Sequence, residues 1–208
     1  ATAKLYTDMG LLTCNKKIGE DATAVFNMLS GYSEPEVWNK LSLAPLWLRD
    51  SFEFLIKRET ANAKTGKKAF IKAKMNSLCD KKIISLLYEA SQAGVKIDLI
   101  VRGICCLKAG IPGLSENITV RSIVGTFLEH SRIFYFENDG NYEVYCASAD
   151  WMPRNLERRV EILFPIEATA LKDKITEAAA IKFNDYTAVS YENLQTTINN
   201  ANIVLENH

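Results

Sequence analysis

The feature that most constrains the fold is a strand–helix–strand pattern across residues 69–101. Residues 69–75 alternate apolar and polar side chains, as a strand does. Asp80 then has the position of an N-cap, apolar residues follow at helical spacing, and Gly94 is placed to end the helix. Residues 95–101 form an apolar run typical of a strand covered on both faces. Because such a βαβ unit joins parallel strands through a right-handed crossover, the pattern predicts an α/β domain.

Segments on either side of this unit predict the rest of the domain. A strong hairpin turn is indicated at residues 138–141. The expected helices cover 20–29, 46–61 and 167–182, and the expected strands cover 118–124, 133–137, 142–147 and 159–164. We therefore expect a domain at 46–185, an edge or connector at 1–45 before it, and a polar tail at 186–208.

The composition limits the function classes and the setting. Lys plus Arg and Asp plus Glu are both 25, so the net charge is zero and no bulk attraction to nucleic acid or anionic membrane is expected. The five cysteines lack C-x-x-C spacing, which favours a reducing, cytoplasmic setting. No apolar run approaches the roughly 20 residues of a membrane span. Residues 1–8 read as the middle of an element, so we expect a fragment of a longer protein.

One stretch is locally basic although the whole chain is neutral. Residues 57–82 contain nine Lys or Arg side chains against Glu59 and Asp80. The favoured interpretation is a solvated surface. The alternative is a track for a polyanion, which would bind with strong salt dependence.

The candidate site centres on His130, the only histidine apart from His208. Arg102 and Arg159 lie at the ends of predicted strands, and Arg132 follows His130 by two positions. Guanidinium groups match phosphate oxygens bidentately, and neutral imidazole is a good nucleophile near pH 7. The pattern favours an anion site, with a buried structural histidine as the alternative. The sequence contains no P-loop, G-x-G-x-x-G fingerprint or carboxylate cage, so ordinary nucleotide-binding folds are not supported.

Four segments resemble the C-terminal region of bacterial polyphosphate kinase of the long-chain-synthesising type. They are residues 97–107, 111–118, 128–133 and 148–155, and the likeness covers roughly residues 4–180. The resemblance implies an α/β, phospholipase D-like fold, a mixed β-sheet flanked by helices on both faces. It also implies that 46–185 is the second of two such domains, which face each other across an ATP-binding tunnel, and that 1–45 holds the end of the first.

The resemblance also implies roles for individual residues. His130 is similar to a histidine that contacts nucleotide phosphates and assists transfer, and Tyr6 to a tyrosine that packs near the ATP base. Arg102 and Arg159 are similar to arginines that hold ATP phosphates. The stretch His130-x-Arg132-x-x-x-x-Glu137 is similar to a degenerate H-x-K-x-x-x-x-D motif. Supporting roles therefore fall to three further residues, Arg132, Glu137 and Arg154.

Structural alternatives remain for these assignments. Arg102 could pair with Asp98 or Glu129, and Arg159 could pair with Glu161. The tyrosine assigned to the ATP base could equally be a core or edge aromatic. The chain also departs from the family pattern at two positions, with Thr126 in place of the usual Arg and Ala109 in place of a frequent Pro. The first change could weaken contact with polyphosphate, while the resemblance itself stays intact.

The function that the resemblance implies is reversible transfer of the terminal phosphate of ATP to polyphosphate. The phosphorylated histidine and the ligands of the Mg²⁺ that accompanies ATP are expected outside this chain, which itself has no expected metal site. Expected partners are ATP or ADP, polyphosphate, the other domains of the same chain and, for the full-length protein, further copies of itself, but no nucleic acid. The expected location is the cytoplasm, with peripheral association at the inner membrane left open.

Two other functions remain as alternatives. A phospholipase D-type phosphodiesterase is weaker, because that chemistry expects a lysine where Arg132 stands. The isolated chain, which we expect to be inactive, could also serve as a non-catalytic anion-binding module.

Overall fold

The computed structural model describes residues 4–31, 38–123 and 125–180. The predicted polar tail at 186–208 and the last residues of the predicted helix at 167–182 lie outside this range. Residues up to Pro165 form one compact unit, and a second unit begins at Ile166. No described helix is both long and apolar enough to cross a membrane.

The described residues contain five α-helices and nine β-strands, and a short 3-10 helix at Asn138–Gly140 connects two of the strands. The helices are α1 (Lys16–Leu29), α2 (Leu48–Lys64), α3 (Lys81–Gln92), α4 (Pro153–Glu157) and α5 (Thr169–Ala180). The strands are β1 (Tyr6–Thr7), β2 (Ser42–Ala44), β3 (Phe70–Met75), β4 (Lys96–Val101), β5 (Ile118–Arg121), β6 (Leu128–Glu129), β7 (Arg132–Phe136), β8 (Glu143–Ala147) and β9 (Glu161–Ile166).

Seven of the strands form one mixed sheet, in the order β2-β9-β8-β7-β3-β4-β5. β3, β4 and β5 run parallel, whereas β7 is antiparallel to both β3 and β8. The two remaining strands, β1 and β6, pair in parallel as a separate small sheet. The predicted mixed sheet flanked by helices is confirmed.

The predicted βαβ unit is present as β3, α3 and β4. The Asp80 side chain caps α3 by accepting hydrogen bonds from the backbone N–H groups of Lys82 and Ile83. Asp80 also receives two bonds of 2.7 Å from the Arg49 guanidinium. Gly94 follows the helix with a φ of 95°, a conformation that glycine adopts without steric cost. These local signals explain why this unit could be predicted with accurate bounds.

Aromatic packing holds α2 against the sheet. The ring of Phe52 on α2 lies 4.7 Å from that of Phe134 on β7 and 5.5 Å from that of Trp151, measured between centroids. Phe134 and Trp151 are themselves 5.2 Å apart, and all three side chains are fully buried. Helix α2 also packs along α3, so both helices cover the same face of the sheet.

The first helix is longer than the sequence predicts. Its predicted start is residue 20, but α1 begins at Lys16 because Asn15 Oδ1 accepts hydrogen bonds from the N–H groups of Lys17 and Ile18. Strand β2 falls within the predicted connector at 1–45, yet it pairs with β9 and forms the edge of the large sheet. The sheet therefore begins slightly before residue 46.

Asp21 of α1 binds the chain that leads into β2. Its buried carboxylate accepts hydrogen bonds from the backbone N–H groups of Asn39, Lys40 and Leu41, and from the Asn39 side chain. Burial raises the pKa of Asp21, but these hydrogen bonds outweigh it and hold the pKa below its ordinary value. The carboxylate thus joins α1 to the edge of the sheet.

Candidate functional site

An open cleft of about 370 Å³ lies at the end of the sheet where β7 begins. At the same end β3 and β4 terminate, because β7 runs antiparallel to β3 and β3 parallel to β4. The carboxyl ends of parallel strands are where open α/β sheets bind ligands. The cleft is lined by Asp8, Met9, His130, Ser131, Arg132, Cys146, Ala147, Ser148, Arg159, Glu161, Ile162 and Phe164.

The small sheet brings Asp8 to His130. Thr7 of β1 pairs with Glu129 of β6, and the His130 N–H donates to the Thr7 carbonyl at 3.0 Å. The following residue, Asp8, then places Oδ2 2.9 Å from His130 Nδ1. Since a carboxylate can only accept, Nδ1 is the donor in this bond.

Tyr6 lies against the same imidazole. The two rings meet edge to face, with centroids 4.9 Å apart. The tyrosine side is open to solvent, since Tyr6 is 46% exposed. A buried core aromatic is therefore excluded, whereas an edge aromatic, the other structural alternative for this residue, is not.

Arg132 connects His130 to Asp150. Its Nε and Nη2 donate to the two carboxylate oxygens of Asp150, at 3.0 and 3.3 Å. Its Nη1 lies 3.2 and 3.3 Å from the two imidazole nitrogens of His130. With Nδ1 donating to Asp8, Nε2 is the nitrogen that can accept a hydrogen bond from Arg132. Two basic side chains, His130 and Arg132, thus lie between the carboxylates of Asp8 and Asp150.

Two residues hold the main chain around His130. Lys74 of β3 is buried and donates from Nζ to Ser131 Oγ at 2.7 Å and to the Ser131 carbonyl at 3.1 Å. The Lys74 ammonium also lies 3.5 Å from the Glu129 carboxylate. Burial lowers the pKa of Lys74, and Glu129 opposes this effect. On the other side, the Asn76 amide lies 3.4 Å from the His130 carbonyl oxygen.

Arg102 lies behind the cleft, at the end of β4. Its Nε donates to Asn76 Oδ1 at 2.8 Å, and the side chain pairs with neither Asp98 nor Glu129. The same Asn76 bonds the His130 carbonyl, so Arg102 is connected to the His130 segment without touching its imidazole.

Arg159 lines the cleft opposite these groups and is exposed. Its expected alternative partner, Glu161, is bound instead by Ser148 Oγ and by the Asn155 side chain. In the part of the chain that the structure describes, no hydrogen bond or ion pair engages the Arg159 guanidinium. Arg159 therefore presents an uncompensated positive charge to the cleft.

Two of the predicted supporting residues lie away from this constellation. Glu137 follows the last residue of β7, about 16 Å along the strand from Arg132, and accepts a hydrogen bond from Tyr135. The carboxylate that actually contacts Arg132 is Asp150. Arg154 is an exposed residue of α4 and does not line the cleft.

The sequence interpretation did not include several residues of the site. Asp8 reaches His130 through a two-residue strand, which is too short to show any periodicity. Lys74 and Asn76 belong to the end of β3, where the strand pattern alone favours a structural role. Asp150 belongs to the resembling segment 148–155, but it is not among the predicted site residues. Among the described residues, no three His, Cys, Asp or Glu side chains come together as a metal site.

Comparison with solved structures defines the class of fold. The chain superposes on a phospholipase D family member, Nuc from Salmonella typhimurium, with a TM-score of 0.52 and 15% identity, covering 70% of this chain and 93% of that one. At this identity the likeness concerns the fold alone. The chain has a phospholipase D-like fold.

Closer relatives define the family. The model "Polyphosphate kinase C-terminal domain 2" matches residues 41–206, and "Polyphosphate kinase C-terminal domain 1" matches residues 1–35. The chain belongs to the polyphosphate kinase family.

A solved polyphosphate kinase from Porphyromonas gingivalis is 44% identical with a TM-score of 0.80, covering 83% of this chain and 26% of that one. A curated polyphosphate kinase from Halalkalibacterium halodurans is 58% identical over 89% of this chain, and one from Lactiplantibacillus plantarum is 59% identical over 79%. The chain spans about a quarter of the length of these curated relatives, 26% and 23%.

Proposed function

We propose that this chain forms half of the ATP and phosphate site of a polyphosphate kinase, which reversibly transfers the terminal phosphate of ATP to polyphosphate. Family membership supports the reaction. One observation carries the site assignment: the imidazole of His130 is hydrogen-bonded to Asp8 and lies next to Arg132. Arg159 lines the same cleft.

His130 serves as the group that assists transfer. Asp8 accepts the hydrogen bond from Nδ1 and orients the imidazole, so Nε2 is the nitrogen assigned to exchange a proton with a phosphate oxygen. Arg132 and Arg159 add fixed positive charge where negative charge spreads over the transferred group. Arg102, which follows β4, is assigned as a further phosphate-binding residue. Tyr6 offers an exposed ring beside the imidazole, suited to stacking against a nucleobase.

The remaining parts of the reaction belong to the rest of the enzyme. The histidine that becomes phosphorylated is assigned to the preceding domain, and the isolated chain is therefore inactive. Mg²⁺ accompanies ATP as a hard cation bound by oxygen ligands. The carboxylates of this cleft do not fit it well, because Asp8, Asp150 and Glu161 are each already bonded to side chains of the site. The protein ligands of Mg²⁺ are thus assigned outside this chain.

The proposed partners follow from this reaction. They are ATP or ADP, polyphosphate, the other domains of the same chain and, in the whole enzyme, further copies of it; no nucleic acid is included. The proposed location is the cytoplasm, with association at the inner membrane as the alternative. The domain division also remains our proposal, with the end of a preceding domain in 1–45, this domain at 46–185 and a tail at 186–208.

The test is transfer of label from γ-labelled ATP into acid-insoluble polymer by the whole enzyme that carries this domain. We expect His130→Ala to lower this rate on the order of 100-fold. His208→Ala, which removes the other histidine of the present 208-residue chain, should leave the rate unchanged. Equal rates in wild type and His130→Ala would contradict the assignment. Hydrolysis of a bis-aryl phosphodiester, without label transfer, would instead support the phospholipase D-type reaction. ATP binding with neither reaction would indicate an anion-binding module.

A further inference from the structure

Asn76 is a buried amide that connects two of the proposed phosphate-binding residues. It follows β3 directly and is 6% exposed. Its Oδ1 accepts from Arg102 Nε at 2.8 Å, and its Nδ2 lies 3.2 Å from Asp150 Oδ1 and 3.4 Å from the His130 carbonyl oxygen. One side chain therefore joins the ends of β3 and β4 to the beginning of β7.

The chemistry of the neighbours fixes which way this amide points. A guanidinium can only donate, so Arg102 requires an acceptor. The Asp150 carboxylate and the His130 carbonyl can only accept, so both require a donor. An amide supplies an acceptor and a donor side by side, whereas the nearly isosteric carboxylate of aspartate would face Asp150 with a second acceptor and a second negative charge.

The bond to Asn76 orients Arg102. Within the described residues, it is the only hydrogen bond or ion pair formed by the Arg102 side chain. It uses Nε, which leaves both terminal nitrogens of the guanidinium free. A guanidinium held in this way keeps a fixed plane and can still offer a bidentate fork to a phosphate group.

The backbone of Asn76 is held as firmly as its side chain. Its N–H donates to Asp150 Oδ1 at 2.8 Å, and its carbonyl accepts from the Gly103 N–H at 2.7 Å. A Cβ at position 103 would lie 3.0 Å from that carbonyl oxygen, so the two strand ends approach as closely as a glycine permits.

We propose that Asn76 is a positioning residue that sets the orientation of Arg102 relative to His130 for phosphate binding. It does not touch substrate and acts through Arg102, whose guanidinium it orients. The proposal rests on the proposed function, since it takes Arg102 and His130 as phosphate-binding groups.

The test is a double-mutant cycle in the whole enzyme, with the Kd of ATP measured by calorimetry in the presence of Mg²⁺. We expect Asn76→Ala to weaken ATP binding about tenfold, as for one lost hydrogen bond to a charged group. In an Arg102→Ala background the same change should have an effect of less than about twofold, because the residue through which it acts is gone. Ser77→Ala is the matched control and should bind like wild type.

Several outcomes separate this proposal from the proposed function. If the effects of Asn76→Ala and Arg102→Ala multiply, the two residues act independently and the positioning role is wrong. A lower melting temperature with unchanged ATP affinity would also overturn it, while leaving the proposed function intact. If Arg102→Ala and His130→Ala both bind ATP like wild type, the proposed function of these residues fails. Should Asn76→Ala not fold, Asn76→Ser, which keeps a small polar group, enters the same cycle with the same expectations.

Discussion

The Nδ1 atom of His130 lies 2.9 Å from the Oδ2 atom of Asp8, although 122 positions separate the two residues in the chain. The contact depends on the pairing of two very short strands, β1 and β6, which places the residue after each of them at the same cleft. A carboxylate bound to one nitrogen of an imidazole fixes the tautomer and the orientation of the ring.

Asp8→Asn should therefore lower the turnover of the whole enzyme. The amide keeps the size of the carboxylate but can turn its NH₂ group toward Nδ1, and it then no longer fixes the tautomer and orientation of the imidazole, so we expect a decrease in kcat on the order of 100-fold. Label transfer from ATP at saturating substrate measures it. Asp139→Asn is the control and should retain wild-type kcat. Asp139 lies in the turn before β8, where its exposed carboxylate pairs with Lys67. Equal kcat in both variants would show that Asp8 has no part in the reaction.

Arg159 and Arg154 are two exposed arginines that the structure distinguishes. Arg159 lines the cleft and has no partner among the described residues, whereas Arg154 lies outside the cleft. We expect Arg159→Ala to raise the Kd of ATP about tenfold and Arg154→Ala to change it less than about twofold. Calorimetric titration of the whole enzyme at two salt concentrations should also show a weaker salt dependence for Arg159→Ala. The reverse ranking would assign the phosphate contact to Arg154.

Asp21 should make stability depend on pH. Its pKa is lowered in the folded chain, so its stabilising effect is present above the pKa of the unfolded state and is lost as the pH falls through the folded pKa. Asp21→Asn should lower the free energy of unfolding by about 3 kcal/mol at pH 7, because the amide cannot accept all the bonds that the carboxylate does. The difference between the two proteins should shrink as the pH is lowered below about 4.

Urea unfolding at pH 7 and pH 3 measures this difference. Asp50→Asn is the control, an exposed carboxylate in the first turn of α2, and should cost less than about 1 kcal/mol. A difference between wild type and Asp21→Asn that is the same at both pH values would contradict the account of Asp21.

The aromatic cluster beneath the cleft should dominate the stability of the sheet unit. Phe134→Ala removes a fully buried ring from between Phe52 and Trp151, and we expect a loss of about 3–5 kcal/mol in the free energy of unfolding. Phe54→Ala removes the same side chain from the exposed side of α2, where the residue is 65% exposed, and should cost less than about 0.5 kcal/mol. Equal losses in urea unfolding would mean that the cluster is not the centre of the core.

The parts of the fold that the sequence predicted well are those with local signals. The unit β3-α3-β4 has a capping residue, helical periodicity and a terminal glycine, and its structure matches the prediction closely. Strands β1, β2 and β6 are two or three residues long, too short for any alternation of side chains to be visible. Their existence depends on pairing with distant segments, which a single sequence does not display.

The residues of the site likewise divide into those with a signal in the sequence and those without one. His130, Arg132 and Arg159 could be proposed from residue type and strand ends, and all three line one cleft. Glu137 was proposed from motif spacing, but five residues of extended strand carry it away from the cleft. The buried partners Asp150 and Asn76 carry no sequence signal of their own, because a carboxylate in a turn and an amide after a strand are common features without any site.

The attachments of the first thirty residues also bear on how the whole enzyme can move. Residues 1–35 match the model "Polyphosphate kinase C-terminal domain 1", yet β1 pairs with β6, and Asp21 binds the backbone that enters β2. Mechanically, residues 6–29 thus belong to the body that contains the large sheet. A rotation of the rest of the enzyme against this sheet would have to leave this segment attached to the sheet. Otherwise it would break both the β1–β6 pairing and the hydrogen bonds of the buried Asp21 carboxylate.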